Sequence, residues 1–340
     1  MTITAETWCD RGKMLYELGD FEGAIAHYDK ALDLDPHNGD IWFYRGNALD
    51  SLERYEDAFA SYDKALAVDG DLAEAWNNRG LVLVELGCYE MAIASYDKAL
   101  FLEPESHEAW TNRGFALDEL GRYEDAVASY EKGLGLNADD ENIWYNQGLA
   151  LEKLRRYEEA IASYDKALAL NPNNGAAWVS RGIALNGLGQ SDAVIESCEK
   201  ALIFEPNDGE AWFFHGVALG IVGRNQEAIA SLDKALEIQP DYQDAWMAKG
   251  TVLRSLDRYG DAIACFAQAI EILPDDPSAW YNKACCHSLQ NDLELAITNL
   301  TCAIELSPQK HRKMAKTDSD FDGIRQDPRF QSLMQRKDNS

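Results

Sequence analysis

Several serine residues precede a lysine by three positions, a spacing found in serine–lysine nucleophile pairs. They include Ser61/Lys64, Ser95/Lys98, Ser163/Lys166, Ser197/Lys200 and Ser231/Lys234. Their positions differ by 34 residues or by a multiple of 34. Because recurrence at one position of a repeat indicates a helix surface rather than a nucleophile, we predict no catalytic residue.

Adjacent cysteine and histidine residues raise the question of a metal site. Cys285, Cys286 and His287 are consecutive, and Cys265 and Cys302 are near them in the sequence. Thiolate and imidazole groups bind transition metals, but this spacing is not that of a zinc site. Cys265 and Cys286 also occupy positions where the repeat described below has small residues. We therefore interpret these cysteines as packing residues and predict no metal ligand and no cofactor.

The segment Asp318–Gly323, with the sequence DSDFDG, begins like the calcium loop of an EF-hand. The bidentate glutamate expected at the twelfth position of such a loop is Arg329 in this chain. We interpret the segment as part of a cap that covers the end of a repeat array.

The composition is strongly acidic. The chain has 59 acidic and 31 basic residues in 340, a formal net charge of −28, and 46% hydrophobic residues. Such a charge repels nucleic acid and anionic membranes and attracts basic partners. The apolar stretch Ala211–Gly223 is too short to span a membrane, and the first residues do not resemble a signal peptide. We expect a cytoplasmic protein with no membrane span and no nucleic-acid partner.

All nine tryptophans share one register of 34 residues: Trp8, Trp42, Trp76, Trp110, Trp144, Trp178, Trp212, Trp246 and Trp280. With tryptophan numbered as position 4 of each repeat, position 8 is glycine in eight repeats and position 11 is leucine in eight. Positions 4, 7, 8 and 11 share one face of a helix, and positions 20, 24 and 27 share one face of a second helix. Glycine at position 8 facing alanine at position 20 predicts two closely packed helices per repeat. Glycine at position 15 ends the first helix, and proline at position 32 separates the second helix from the next repeat.

This pattern, W-x3-G-x2-L…A-x3-Y…A…P, resembles the tetratricopeptide repeat. The resemblance implies an all-α fold: a right-handed α-α superhelical solenoid of antiparallel helix pairs, whose first helices line a concave groove. It covers nine repeats, at residues 5–38, 39–72, 73–106, 107–140, 141–174, 175–208, 209–242, 243–276 and 277–310. Residues 311–340 form a predicted capping segment and tail, similar to the terminal segment of many bacterial arrays.

Two features of the repeats lead to further expectations. Arginine at position 7 is expected to pack its stem while its guanidinium reaches an acid of an adjacent repeat. Repeat 6 has Ser191, Val194 and Cys198 where tyrosine, alanine and tyrosine are usual, and repeat 9 has Ala284 and His287 in place of glycine and leucine. We expect looser packing in these two repeats.

Helix geometry assigns positions 2, 5, 6, 9, 12 and 13 to the predicted groove. The polar candidates for contact with a peptide are Glu74, Asn77, Asn78, Glu108, Asn112 and Asn146. Each asparagine amide both donates and accepts hydrogen bonds, so a row of amides could hold an extended peptide backbone. The alternatives are that the acids form an ordinary solvated face and that asparagine is a common residue at this position.

In repeats 6 and 7 apolar residues replace the polar ones. The candidates for an apolar contact zone are Val179, Ile183, Phe213, Phe214 and Val217. Clustered exposed apolar residues mark contact surfaces, but these side chains could instead pack against neighbouring helices of the chain.

The sequence favours a non-catalytic scaffold that binds extended basic or amphipathic peptide segments in an acidic groove. A subunit of a larger assembly or a homo-oligomer, using the convex face or the ends, is the main alternative. An enzyme or a metal-binding protein is a remote one, since the repeats and the cap leave no catalytic domain. The sequence does not decide the oligomeric state.

Overall fold

The structure, a computed structural model, describes residues 4–335, which form helices and contain no strand. The helices come in pairs: α1 (Ala5–Glu17) and α2 (Phe21–Leu34), α3 (Gly39–Asp50) and α4 (Tyr55–Val68), α5 (Ala73–Glu85) and α6 (Tyr89–Leu102), α7 (His107–Glu119) and α8 (Tyr123–Leu136), α9 (Glu141–Lys153) and α10 (Tyr157–Leu170), α11 (Gly175–Gly187) and α12 (Ser191–Phe204), α13 (Gly209–Ile221) and α14 (Asn225–Ile238), α15 (Gln243–Ser255) and α16 (Tyr259–Ile272), α17 (Pro277–Leu289) and α18 (Leu293–Leu306). They are followed by α19 (Pro308–Thr317), a 3-10 helix (Ser319–Ile324) and α20 (Pro328–Gln335). We call α1, α3 and the other odd-numbered helices to α17 the first helices, and their partners to α18 the second helices.

The helices are divided between two compact units, Met1–Pro172 and Asn173–Ser340, which we call the N-terminal and C-terminal units. Within each unit every helix up to α18 packs against the next helix along the chain, and each first helix also contacts the next first helix. Each unit therefore has a face formed by its first helices, which we call the first-helix face. The fold is all-α and of the solenoid type, as the sequence predicted.

The turn after each first helix requires a left-handed backbone conformation. Five repeats place glycine there, with φ between +69° and +81°: Gly19, Gly87, Gly121, Gly189 and Gly223. The other four place Glu53, Arg155, Asp257 and Asn291 there, with φ between +57° and +61°. Because a side chain disfavours this conformation, these four turns form under strain that the packed helices on both sides must overcome.

In repeats 1 to 5 and in repeat 8, glycine at position 8 lies under the aromatic ring at position 24. A β-carbon added to Gly46 would lie 2.5 Å from Cε1 of Tyr62, and this ring is fully buried. Repeat 6 differs because Cys198 replaces the tyrosine. There a β-carbon on Gly182 would lie 3.4 Å from the sulfur of Cys198, an ordinary contact.

Arginine at position 7 connects neighbouring repeats in the N-terminal unit. Arg113 Nε donates to Asp97 Oδ1 at 2.7 Å and Nη1 donates to Ser129 Oγ at 2.7 Å. Its guanidinium carbon lies 5.8 Å from the ring centroid of Trp110. Repeats 2 and 3 form the same contacts through Arg45 and Arg79. We call this arrangement of carboxylate, hydroxyl and indole around a guanidinium the arginine clamp.

The segment after α18 covers the last helix pair. Its aromatic core joins Phe321 and Phe330, with ring centroids 5.8 Å apart, to Tyr281 of α17, 5.6 Å from Phe321. Helix α19 begins at Pro308, three residues before the start of the capping segment expected from the sequence. Residues 336–340 of the predicted tail lie outside the described residues.

Candidate functional site

Asparagine amides on the first-helix face of the N-terminal unit form a chain of hydrogen bonds. Asn112 Nδ2 donates to Asn77 Oδ1 at 3.2 Å, Asn77 Nδ2 to Asn78 Oδ1 at 3.4 Å, and Asn78 Nδ2 to Asn47 Oδ1 at 3.1 Å. Among the described residues, no hydrogen bond joins Asn146, on α9, to these amides. The amides thus bond to one another across repeats 2 to 4. Each keeps donor or acceptor capacity for a ligand because an amide offers two N–H groups and two lone pairs.

An acidic cleft lies beside this amide chain. Its volume is about 230 Å³, and it is lined by Glu74 and Asn77 of α5, Glu103 and Ser106 of the loop between α6 and α7, and Glu108 of α7. Within residues 4–335 these three carboxylates form no ion pair. The structure therefore brings Glu74, Asn77 and Glu108, three of the predicted site residues, into one cleft with high negative charge.

Two further carboxylates at position 12 are half-buried on the same face. Burial raises the pKa of Asp118 above its usual value, and neighbouring Glu119 raises it further. Burial and Glu85 raise the pKa of Asp50 in the same way. Asp118 Oδ1 is buried and has no hydrogen-bond partner within the described residues. A cation brought to this face would relieve the unfavourable charge at both carboxylates.

In the C-terminal unit, several predicted apolar contact residues pack within the unit. Val179 is only 4% exposed and belongs to a small core cluster that Ile183 also contacts. The ring of Phe213 lies 5.0 Å from that of Phe214 and 4.8 Å from that of Tyr242. These contacts favour the packing alternative at Val179 and place the two phenylalanine rings, which are partly buried, against each other.

Val217 lies at an open apolar cavity. The cavity has a volume of about 290 Å³, between α13 and α15, and its lining comprises Val217, Gly220, Ile221, Asn225, Ala248, Thr251, Val252 and Ser255. Gly220 at position 12 and Ala248 at position 6 have small side chains and leave this space open. Most other repeats have larger residues at these two positions. The cavity can accept one apolar side chain.

The structure separates the serine from the lysine in the Ser-x-x-Lys pattern. Ser61 is buried, and its hydroxyl donates to the carbonyl of Asp57 at 2.9 Å. The ammonium of Lys64 lies 4.1 Å from the ring centroid of Trp42. The serine hydroxyl thus bonds to its own helix and the lysine lies on an indole, so Lys64 is not positioned as a general base for Ser61.

The DSDFDG segment forms the 3-10 helix of the cap and anchors it. Asp318 Oδ2 accepts a hydrogen bond from the Tyr281 hydroxyl at 2.7 Å, and Asp320 Oδ2 lies 3.1 Å from Nη1 of Arg254. Ligand atoms of Cys285, Asp318 and Asp320 lie within 4.8 Å of one another. Burial raises the pKa of the Cys285 thiol, so this group stays protonated. Tyr281 thus binds Asp318 and Arg254 binds Asp320, and these contacts connect the cap to α17 and α15.

Tetratricopeptide repeat models match this chain at residues 9–78, 73–106, 107–140, 142–174, 163–196, 222–284 and 277–310. The chain belongs to the tetratricopeptide repeat family. No curated protein matches it. None of the described helices has the length and apolar character needed to cross a membrane.

Solved structures of tetratricopeptide repeat proteins are similar to the chain. The structure of YrrB, described as having an unusual peptide-binding site, is 26% identical, with a TM-score of 0.50, over 55% of this chain and 97% of YrrB. The C-terminal part of a repeat protein from Cytophaga hutchinsonii is 19% identical, with a TM-score of 0.60, over 70% of this chain and 97% of the other. Pseudomonas aeruginosa pilF is 23% identical, with a TM-score of 0.52, over 61% and 94%. The last two similarities concern the fold.

Three of the residues that form these sites were not predicted from the sequence. Asn47 closes the amide chain from position 9, Glu103 contributes to the acidic cleft from the loop before Pro104, and Ala248 opens the apolar cavity. Acids at the position of Glu103 also occur in repeats 1 and 2, as Asp35 and Asp69. That recurrence is a signal for Glu103 in the sequence, but it lies outside the first-helix positions that were predicted to form the groove.

Proposed function

We propose that this protein is a non-catalytic scaffold that binds extended basic segments of partner proteins on the first-helix face of the N-terminal unit. The family supports a role in protein interaction. The acidic cleft of Glu74, Glu103 and Glu108 is the observation that carries the proposal. Three carboxylates surround about 230 Å³, and no described residue supplies a cation to the lining. They favour a lysine or arginine side chain from a ligand, because such a side chain would reduce their mutual repulsion.

The amide chain next to the cleft supports binding of an extended backbone. Asn77 lines the cleft and also bonds to Asn78 and Asn112. A peptide whose basic side chain enters the cleft would have its backbone N–H and carbonyl groups close to these amides. Contacts of this kind hold a peptide without selecting its side chains, so the charge in the cleft would supply the preference for a basic residue.

The apolar cavity of the C-terminal unit supports a second, separate contact for amphipathic segments. Val217 and Ile221 border it, and Ile221 is 65% exposed. An aliphatic side chain in this space would bury apolar surface at about 25 cal/mol per Å². Occupancy of this cavity would be insensitive to salt, in contrast to the cleft.

The test uses a fluorescein-labelled, lysine-rich nonapeptide and measures its anisotropy with the full chain. Changing Glu74 and Glu108 together to glutamine should weaken binding by about tenfold at low salt, since each charge contact contributes roughly 0.5–1 kcal/mol. Changing Glu90, an exposed acid on α6, together with Glu124 on α8 to glutamine is the matched control with the same loss of charge. Raising the salt concentration should reduce the difference between the wild type and the cleft variant. Equal weakening by the cleft and control pairs would show that only overall charge attracts the peptide, and the cleft would then not be the site.

A further inference from the structure

The arginine clamp lacks its arginine in repeat 5. Position 7 of this repeat is Gln147, a buried residue whose Oε1 accepts a hydrogen bond from Ser163 Oγ at 2.9 Å. Glutamine thus replaces one of the two polar contacts that arginine forms in repeats 2, 3 and 4. Among residues 4–335, Gln147 forms no hydrogen bond with Glu131, which occupies the position of the clamp acid Asp97. Within the described residues, Glu131 forms no ion pair.

A cavity of about 470 Å³ lies among the remaining clamp residues of repeat 5. Glu131, Trp144, Gln147 and Ser163 line it, from α8, α9 and α10. Gly135 also lines it, and a β-carbon at Gly135 would meet no atom within 4 Å. The cavity lies between the second helices α8 and α10. It shares no helix with the acidic cleft, which is lined by residues of α5, α6, α7 and the loop before α7.

The arginine that precedes α10 is already engaged. Arg156 binds Glu159 through two hydrogen bonds of 2.7 Å. The indole N–H of Trp144 donates to the carbonyl of Ala138 at 2.9 Å, which fixes the ring. Every group that surrounds a guanidinium in repeats 2 to 4 is therefore present in repeat 5: an acid, an indole face and a serine hydroxyl.

We propose that this cavity binds an arginine side chain presented by a partner protein. The ligand guanidinium would form an ion pair with Glu131 and lie over the face of Trp144, as Arg113 does with Asp97 and Trp110. Arginine fits better than lysine because its planar fork can bond to two acceptors while it stacks on an aromatic ring. This site goes beyond the proposed function and does not depend on it.

The test follows the indole N–H signal of Trp144 in ¹H–¹⁵N spectra, assigned with a Trp144→Phe variant. The probe is Nα-acetyl-arginine methylamide, and the corresponding lysine compound is the comparison. A saturable shift at Trp144 is expected for the arginine probe at millimolar concentration, with weaker binding of the lysine compound. The signal of Trp110, where Arg113 already occupies the clamp, should not move. Glu131→Gln should weaken binding by about fivefold, as expected for loss of a partly exposed ion pair.

Gln147→Arg is the decisive variant. It supplies the chain's own arginine to Glu131 and Ser163, so it should abolish the probe-induced shift and raise the melting temperature. Binding of the lysine-rich nonapeptide should stay unchanged, because Gln147 is outside the acidic cleft. Retention of the arginine-induced shift in Gln147→Arg, or equal binding of the two probes to the wild type, would overturn the proposal. Self-association of the wild type that Gln147→Arg removes would also overturn it, because the occupant would then be a second copy of this chain.

Discussion

Gly46 and Gly182 occupy the same position of their repeats but should respond in opposite directions to replacement by alanine. A methyl group on Gly46 would lie 2.5 Å from Cε1, 2.7 Å from Cδ1 and 3.0 Å from Cζ of Tyr62. Carbon atoms pack at about 3.5–4.0 Å, so the ring must move by about 1 Å. Tyr62 is fully buried, and its hydroxyl donates to Asn47 Oδ1 at 2.7 Å. The ring therefore has no free direction of movement.

The cost of Gly46→Ala follows from two opposing effects. Overpacking costs about 3 kcal/mol at a site that cannot relax, and alanine gains up to about 1 kcal/mol over glycine in a helix. The variant should thus lose about 2 kcal/mol of unfolding free energy. At Gly182 the nearest atoms are Cys198 Sγ at 3.4 Å and Ser197 Cβ at 3.6 Å. Gly182→Ala should therefore gain about 0.5–1 kcal/mol, because only the helix term changes.

Urea denaturation followed by circular dichroism measures both changes. Amide hydrogen exchange then shows whether the effect of each variant lies in its own unit, because repeat proteins open locally. Gly114→Ala, which places a methyl group 2.6 Å from Cε1 of Tyr130, should behave like Gly46→Ala. Tyr62→Cys reproduces the Gly182 environment, and in that background Gly46→Ala should lose most of its cost. A neutral Gly46→Ala, or the same sign at Gly46 and Gly182, would refute the reasoning.

Three further predictions concern the turns, the cap and the half-buried acids. Glu53→Gly should raise the unfolding free energy by about 0.5–1 kcal/mol in urea, because Glu53 has a φ of +57°; a loss of stability would show that the turn is not strained. Tyr281→Phe removes the hydroxyl that donates to Asp318 at 2.7 Å, so it should cost about 1–2 kcal/mol and speed proteolysis of the cap, and unchanged proteolysis would contradict the anchoring role. Asp118→Asn should raise the urea midpoint at neutral pH, because the folded-state pKa of Asp118 is raised. The native carboxyl group favours folding below its unfolded pKa, and this contribution is lost as the pH rises through the folded pKa. The advantage of Asp118→Asn should therefore shrink on acidification through the folded pKa, and an advantage independent of pH would refute the assignment.

The periodic part of the fold could be predicted from the sequence because the same residue types recur at the packing positions of the repeats. Tryptophan, glycine, leucine and alanine at fixed positions specify which faces of two helices meet, and the structure has those pairs. The four turns with non-glycine residues were less predictable. Arg155 or Asp257 at such a turn carries no local sign of a positive φ, which the flanking helices impose.

The candidate sites could be predicted only in part, because they depend on contacts between neighbouring repeats that differ in sequence. Asn77 and Asn112 were identified by position, but their mutual hydrogen bond depends on the side-chain conformations of two neighbouring helices. Val179 was assigned to a contact zone, yet it lies in a small core because α12 and α13 cover it. A hydrophobicity pattern identifies the face of a helix but not the depth to which its neighbours bury it.

Departures from the repeat differ in whether the chain fills the space that they create. At Gly182 the loss of a tyrosine ring is compensated, because Cys198 is fully buried against its neighbours. At Gln147 and Gly135 the lost side chains are not replaced, and a cavity of about 470 Å³ remains beside Glu131, which has no ion pair among residues 4–335. A void with a charged wall contributes nothing to folding, because neither packing nor charge pairing is satisfied there. Selection for stability alone would restore arginine at position 147. The glutamine found there favours a ligand that supplies the missing guanidinium.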